Sequence, residues 1–237
     1  MATVILLRHG RSSANGSGVL AGRTPKVDLD ETGRAQAEAL VDRLAGVPLA
    51  EVVTSPLLRC RRTVGPLATA RGLDRRPESR LSEVDYGDWT GRDLTALAKE
   101  PLWRVVQSHP SAAVFPGGEG LAQMQARAVA AVREHDARIT AEHGEHAVWL
   151  LCSHGDVIKA LLADALGQHL DSFQRIVVDP ASVSVTRYTE TRPFVLRLND
   201  SGGDLSGIVP EKPRKRRGRK LASDAAVGGT TGGKDRA

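Results

Sequence analysis

The sequence has little cysteine, few aromatic residues and no long apolar run. Its two cysteines, Cys60 and Cys152, do not form a CxxC pair, so neither a disulfide framework nor a zinc site is expected. No apolar stretch approaches the roughly 20 residues that a membrane-spanning helix needs. Aromatic residues make up only 3% of the chain. The core must therefore be built from aliphatic side chains.

The N-terminal residues lack the features of a secretory signal. The short apolar run Thr3–Leu7 is followed directly by Arg8, with no basic segment before it and no small-residue cleavage site after it. We therefore expect a cytoplasmic protein.

The excess of positive charge lies in the C-terminal region. Residues 1–200 carry 24 Lys and Arg against 24 Asp and Glu, whereas residues 201–237 carry 9 against 4. The balanced part gives no reason to expect nucleic-acid binding. The remainder is rich in glycine, contains the basic run Lys212–Lys220 and is too poor in apolar residues for a core. We predict a folded domain at 1–200 and a disordered basic tail at 201–237, which is either solvated or contacts an acidic partner, nucleic acid or a membrane surface.

Short β-rich runs alternate with longer helical patterns along the folded part. Such alternation predicts an α/β fold with a mostly parallel central sheet. Ser55 and Pro56 are typical of a helix start, and a short strand is expected near Leu81. The predicted strands are Thr3–Leu7, Ala50–Thr54, Ala147–Cys152, Ser182–Tyr188 and Phe194–Leu198, and the main helices are about 30–44, 55–70, 93–99, 121–143 and 155–166.

Polar residues follow three of the predicted strands. Arg8 and His9 end the first, Ser55 comes shortly before Arg59 after the second, and Ser153 with His154 ends a later one. Ligands of α/β proteins bind outside the carboxyl ends of parallel strands. We therefore expect these side chains to share one site.

Their chemistry suits a phosphate group. A histidine such as His9 is a nucleophile when one ring nitrogen is unprotonated and a neighbour holds the other ring proton. Arg8 offers a planar fork for phosphate oxygens, and Arg59 lies close to a helix N-terminus, where anions are favoured. His154 would bond a phosphate oxygen in the transition state. Taken singly, each motif is also explained by an ordinary loop or surface position.

In combination the motifs resemble the histidine phosphatase superfamily, also called phosphoglycerate mutase-like. The resemblance covers residues 2 to about 199 and implies a three-layer α/β/α fold. It is carried by RHG at 8–10, LDETGRAQA at 29–37, SPLLRCRRT at 55–63, LSEVDYGDWTG at 81–91, PGGEG at 116–120 and SHG at 153–155.

The resemblance implies a role for each matched residue. His9 becomes the nucleophile that carries a phosphohistidine, in a pocket of Arg8, Arg59 and His154. Glu83 becomes the proton donor, although Asp85 and Asp88 are alternatives for this role. No metal or cofactor is expected, the substrate is a small phosphorylated molecule, and similar proteins often form homodimers. The residues expected to bind substrate are Arg8, Arg11, Asn15, Gly22, Arg59, His154 and Gly155.

Two positions depart from the family pattern. Arg11 stands where glutamate is common, and Ala14 stands where the mutases usually have tryptophan. Both departures weaken a strict mutase interpretation. Similar mutases generally add segments around the site, so a catalytic body of about 200 residues favours a phosphatase that hydrolyses a small phosphomonoester metabolite over a phosphoglycerate mutase or related phosphomutase. A catalytically dead binding module is a third interpretation. Arg11 either contacts a further anionic group of the substrate or is solvated.

Overall fold

The computed structural model describes residues 1–203 and 227–228 and contains one six-stranded sheet. The strand order is β3-β2-β4-β1-β5-β6. The first four strands in this order are parallel, and β5 and β6 are antiparallel to their neighbours. The strands are β1 (Thr3–Arg8), β2 (Leu49–Thr54), β3 (Arg75–Pro77), β4 (Val148–Ser153), β5 (Val183–Arg187) and β6 (Phe194–Asp200).

Helices cover both faces of the sheet. Side chains alternate along a strand, so Val4 and Leu6 of β1 face one apolar cluster while Ile5 and Leu7 face the other. The first cluster contains α6 and α7, and the second contains α2 and α3. The predicted three-layer α/β/α fold is confirmed. The helices are α1 (Ser13–Ser17), α2 (Glu31–Arg43), α3 (Leu58–Arg71), α4 (Leu94–Leu97), α5 (Pro101–Ser108), α6 (Leu121–His143) and α7 (Gly155–Ala165).

The register of the parallel strands brings their carboxyl ends to one edge. Arg8 of β1 pairs with Ser153 of β4, and Thr54 of β2 pairs with Cys152 of β4. The residues that follow these three strands therefore emerge side by side. This arrangement is the convergence that the sequence predicts.

Two local predictions were wrong. Helix α3 begins at Leu58 rather than at Ser55, and Leu57 takes the cap position without a side-chain bond. The Ser55 hydroxyl, just before the helix, bonds both the Leu57 N–H at 3.4 Å and a histidine ring from another strand end. Leu81 ends a short 3-10 turn at Ser79–Leu81 and is not in a strand. The strand in this region is β3, which pairs with β2.

Most of the predicted tail lies outside the described residues, and the basic run Lys212–Lys220 is among the parts not described. Val227 and Gly228 are described and pack against the domain. Among the described residues, no helix is both long and apolar enough to cross a membrane.

Candidate active site

The predicted catalytic side chains meet in one pocket at the carboxyl edge of the sheet. His9, Arg59 and Glu83 line it directly. His154 joins them through a hydrogen bond to Arg59, and its ring lies edge-on to that of His9 with 5.3 Å between ring centroids. Arg8 does not line the pocket itself, but its Nη2 donates at 3.3 Å to the carbonyl of Gly228, which does.

The backbone fixes the proton on the His9 ring. Nδ1 lies 2.7 Å from the carbonyl oxygen of Gly10, which can only accept a hydrogen bond. The ring proton therefore sits on Nδ1, and Nε2 keeps its lone pair. Burial, followed by the charges of Arg59 and Arg8, holds the pKa of His9 well below its ordinary value. The ring is thus a neutral nucleophile near neutral pH.

Arg59 and His154 form a buried pair beside this ring. Arg59 Nη2 donates to the carbonyl of Gly22 at 2.7 Å and to His154 Nδ1 at 3.1 Å. His154 Nε2 then carries the ring proton and donates to the Ser55 hydroxyl at 2.8 Å. Arg59 Nη1 is buried and has no hydrogen-bond partner among the described residues. A buried guanidinium N–H without a protein partner is suited to an anionic ligand.

Glu83 is the only one of the three candidate acids that lines the pocket. It is 4% exposed, whereas Asp88 is exposed and Asp85 is half-buried and paired with Arg23. Burial, and then the nearby charge of Asp156, raise the pKa of Glu83 to about 7. A carboxyl group with this pKa can both give and take a proton near neutral pH.

An ion-pair cluster holds the loop that carries Glu83. Arg23 and Arg127 both donate to the Glu83 carbonyl oxygen, at 2.9 and 3.1 Å. Glu119 binds both arginines and also accepts from the backbone N–H of Asp85 at 2.9 Å. We call Arg23, Glu119 and Arg127 the clamp. Glu119 stands in the motif PGGEG, but the sequence pattern does not predict these contacts.

The other predicted substrate-binding residues fall into two groups. Asn15 and Gly22 line the pocket, and Gly155 is the buried first residue of α7, directly after His154. Arg11 does not line it, because its guanidinium turns to Asp30 at the start of α2, with 3.3 Å between Nε and Oδ2. Arg11 is therefore engaged in an ion pair, which differs from both interpretations of this residue.

Further contacts hold the segment directly after His9, residues 10 and 11. Thr63 Oγ1 accepts from the N–H of Gly10 at 2.9 Å and donates to the Arg59 carbonyl at 2.7 Å. A Cβ atom on Gly33 would lie 1.9 Å from the carbonyl oxygen of Arg11, so the start of α2 packs backbone to backbone on this segment. Both residues stand in the quoted family motifs, but their contacts depend on the tertiary fold.

A second buried network lies on the α7 side of the pocket. The Tyr86 hydroxyl donates to Asp156 Oδ2 at 2.8 Å, and Lys159 Nζ lies 3.6 Å from Asp156 Oδ1. Asp156 directly follows the SHG motif, but no pattern in the sequence predicts a role for it. Its charge is one of the causes of the raised pKa of Glu83.

Comparisons with known proteins agree with this geometry. The family model described as "Histidine phosphatase superfamily (branch 1)" matches residues 4–201. Phosphoserine phosphatase 1 of Hydrogenobacter thermophilus is 32% identical over 202 residues, covering 84% of this chain and 92% of that protein. A probable phosphoglycerate mutase GpmB of Salmonella choleraesuis is 28% identical over 212 residues, covering 88% and 95%.

The solved structure of Bacillus stearothermophilus YhfR has the same fold. It matches with a TM-score of 0.78 and 26% identity, and the match covers 85% of this chain and 98% of that chain. The family model spans nearly the whole described domain. The chain therefore belongs to the histidine phosphatase superfamily, branch 1, which confirms both the resemblance and the predicted enzyme class, a histidine phosphatase.

Proposed function

We propose that this protein hydrolyses a phosphomonoester of a small metabolite through a phosphohistidine on His9. The observation that carries the proposal is the hydrogen bond from His9 Nδ1 to the Gly10 carbonyl. It leaves Nε2 unprotonated in a pocket that also contains the Arg59 guanidinium and the carboxyl group of Glu83. A nucleophile, a cation and a proton donor are the groups that phosphoryl transfer requires.

In the first step, His9 Nε2 forms a bond to phosphorus while the ester P–O bond breaks. The leaving oxygen takes the proton of Glu83, whose raised pKa keeps part of the population protonated near pH 7. The alcohol departs, and the phosphoryl group stays on the ring.

In the second step, a water molecule attacks the phosphohistidine. The Glu83 carboxylate takes a proton from this water, the P–N bond breaks and inorganic phosphate leaves. Glu83 is then protonated and His9 is neutral, as at the start.

Arg8, Arg59 and His154 stabilise the charge on the transferred group. In this proposal the buried Arg59 Nη1, which has no hydrogen-bond partner within the part of the chain that the structure describes, donates to a phosphoryl oxygen. Arg8 and His154 are fully buried near it, so little water screens their interaction with the anion.

Hydrolysis is favoured over mutase activity by two observations. The phosphatase relative shares 32% identity with the chain, against 28% for the mutase relative. Ala14 also replaces the tryptophan usual in mutases. Mutase activity remains the second candidate because the GpmB relative covers 88% of the chain.

The test is release of inorganic phosphate from p-nitrophenyl phosphate, followed by a panel of phosphorylated metabolites. We expect the His9→Ala variant to lose at least about 10⁴-fold in kcat/KM, since it lacks the nucleophile. The matched control is His109→Ala, at an exposed histidine outside the pocket, which should keep full activity. Acid-labile phosphate bound to the protein should appear during turnover in the native chain and be absent in His9→Ala.

Each alternative predicts a distinct result. Formation of 2-phosphoglycerate from 3-phosphoglycerate, faster than phosphate release, would support the mutase. No turnover of any phosphomonoester, with inorganic phosphate still bound, would support a binding module without catalysis.

A further inference from the structure

Two residues from the C-terminal tail of the sequence form part of the pocket wall. Val227 and Gly228 line it together with His9, Arg59 and Glu83. Val227 is 1% exposed and belongs to the apolar cluster that includes Leu20 and Tyr86. A valine from a glycine-rich, charged tail is thus buried as deeply as the core of the domain.

The backbone of Gly228 bonds two charged groups of the site. Its N–H donates to Asp156 Oδ2 at 3.0 Å, and its carbonyl oxygen accepts from Arg8 Nη2 at 3.3 Å. Arg8 is one of the side chains that the proposed function assigns to the phosphoryl group. A peptide carbonyl oxygen carries partial negative charge. The Gly228 carbonyl therefore takes a position beside Arg8 that suits a phosphoryl oxygen.

The fit at residue 228 requires glycine. Its φ of +80° is a conformation that other residues adopt rarely, and a Cβ atom there would lie 3.2 Å from Leu20 Cδ1. The space left in the pocket is about 30 Å³. Sites for small molecules usually measure roughly 300–1,000 Å³. With Val227 and Gly228 in place, the pocket holds a few water molecules but no phosphate ester.

We propose that Val227 and Gly228 form an intramolecular plug, which a phosphate ester must displace before it reaches His9. The inference rests on the proposed function, because the plug competes for the same phosphate site. Apolar contacts of Val227 and the two backbone hydrogen bonds of Gly228 hold it in place. The enzyme is then an equilibrium of plugged and open forms, and only the open form binds substrate.

The experiment measures the affinity of the full-length chain for inorganic phosphate by titration calorimetry, together with kcat/KM for p-nitrophenyl phosphate. Val227→Asp places a charge in an apolar contact near Glu83 and Asp156, and Gly228→Val strains the backbone. If the plug is closed in nine molecules out of ten, opening it raises both the apparent phosphate affinity and kcat/KM about tenfold. Val227→Ile should behave as the native chain.

The matched control is Leu166→Asp, which makes the same type of change at an exposed leucine just after α7. It should leave both quantities unchanged. A gain with Val227→Asp and Gly228→Val, but not with the control, supports the plug.

Two results would overturn the plug. Unchanged phosphate affinity in both variants would mean that the segment does not compete, and reduced affinity would mean that it forms part of the binding site. Either result leaves the proposed function intact as long as phosphate binds. If neither the native chain nor the variants bind phosphate, the proposed function fails and the plug fails with it.

Discussion

Two halves of the pocket differ in how the chain holds them. The strand half consists of Arg8, His9, Arg59 and His154, which lie at or shortly after the ends of β1, β2 and β4. Backbone hydrogen bonds between these parallel strands set their positions. The loop half consists of Glu83, which lies between 3-10 turns and is fixed by the clamp.

The difference determines what a substitution can disturb. Strand register is set by many backbone hydrogen bonds, so damage to the contacts behind the strand half should appear mainly as lost stability. The clamp depends on a few charged side chains, so damage to it should displace the proton donor while the fold persists. Three substitutions test this separation.

Of these three substitutions, the one in the loop half itself should have the largest effect on activity. Glu83→Gln cannot donate a proton, so kcat/KM for an alkyl phosphate should fall by about 10²–10⁴-fold. p-Nitrophenyl phosphate should lose much less, because its leaving group departs as a stable anion. In the native chain, kcat/KM for the alkyl phosphate should decrease as the pH rises through about 7, where Glu83 loses its proton.

That decrease should be absent from the pH profile of Glu83→Gln. Equal losses on the two substrates, or an unchanged decrease near pH 7, would show that another group donates the proton.

A smaller effect is expected in the clamp. Glu119→Gln weakens its bonds to Arg23 and Arg127 and lets the Glu83 carbonyl shift, so kcat/KM for the alkyl phosphate should fall about 10–100-fold. The decrease near pH 7 should also move, which a purely structural role would not cause. The measurements are the pH profile and the thermal midpoint.

Glu51→Gln is the matched control for the clamp. Glu51 binds both terminal nitrogens of Arg138 at 2.6 Å, and its side chain is 19% exposed against 16% for Glu119. Glu51→Gln should lower the thermal midpoint about as much as Glu119→Gln does, with no change in kcat/KM. Matching losses of activity in the two variants would refute the positioning role of Glu119.

The smallest effect on activity is expected behind the strand half. Thr63→Val removes the acceptor of the buried Gly10 N–H, so the free energy of unfolding should fall by about 1–3 kcal/mol. The loss of kcat/KM should stay below about tenfold, which corresponds to 1.4 kcal/mol. Urea unfolding measures the first quantity, and Thr63→Ser should restore it. A large loss of activity without loss of stability would contradict the separation of the two halves, because it would show that contacts behind the strand half control catalysis directly.

The fold was predictable where local patterns determine the structure. Helix α6 has the predicted bounds because its apolar periodicity lies between Gly120 and Gly144. The start of α3 was not predictable, since Ser55 lies before the helix and its hydroxyl also bonds His154, 99 positions away. The short strand β3 is exposed along its length and has no apolar alternation to reveal it.

In the site, too, features set by local sequence patterns were predictable and features set by long-range contacts were not. The strand half was predictable because polar residues directly follow apolar runs, and the structure brings them together as expected. The clamp was not, because Arg23 and Glu119 are 96 positions apart and each resembles an ordinary surface charge in the sequence. Val227 and Gly228 gave no signal within a tail whose composition predicts disorder. Contacts of this kind depend on the assembled fold.

The contact between Gly10 and Gly33 explains why glycine stands in the motif LDETGRAQA at 29–37, which by sequence alone resembles an ordinary helix start. A Cβ atom on Gly10 would lie 2.8 Å from the Gly33 carbonyl oxygen, so neither position has room for a methyl group. Because neither residue has a side chain, the backbone of α2 can contact the backbone of the segment that carries His9. A library designed to alter the range of substrates should therefore keep both glycines constant and place its diversity at the half-buried pocket-lining residues Val19 and Leu94.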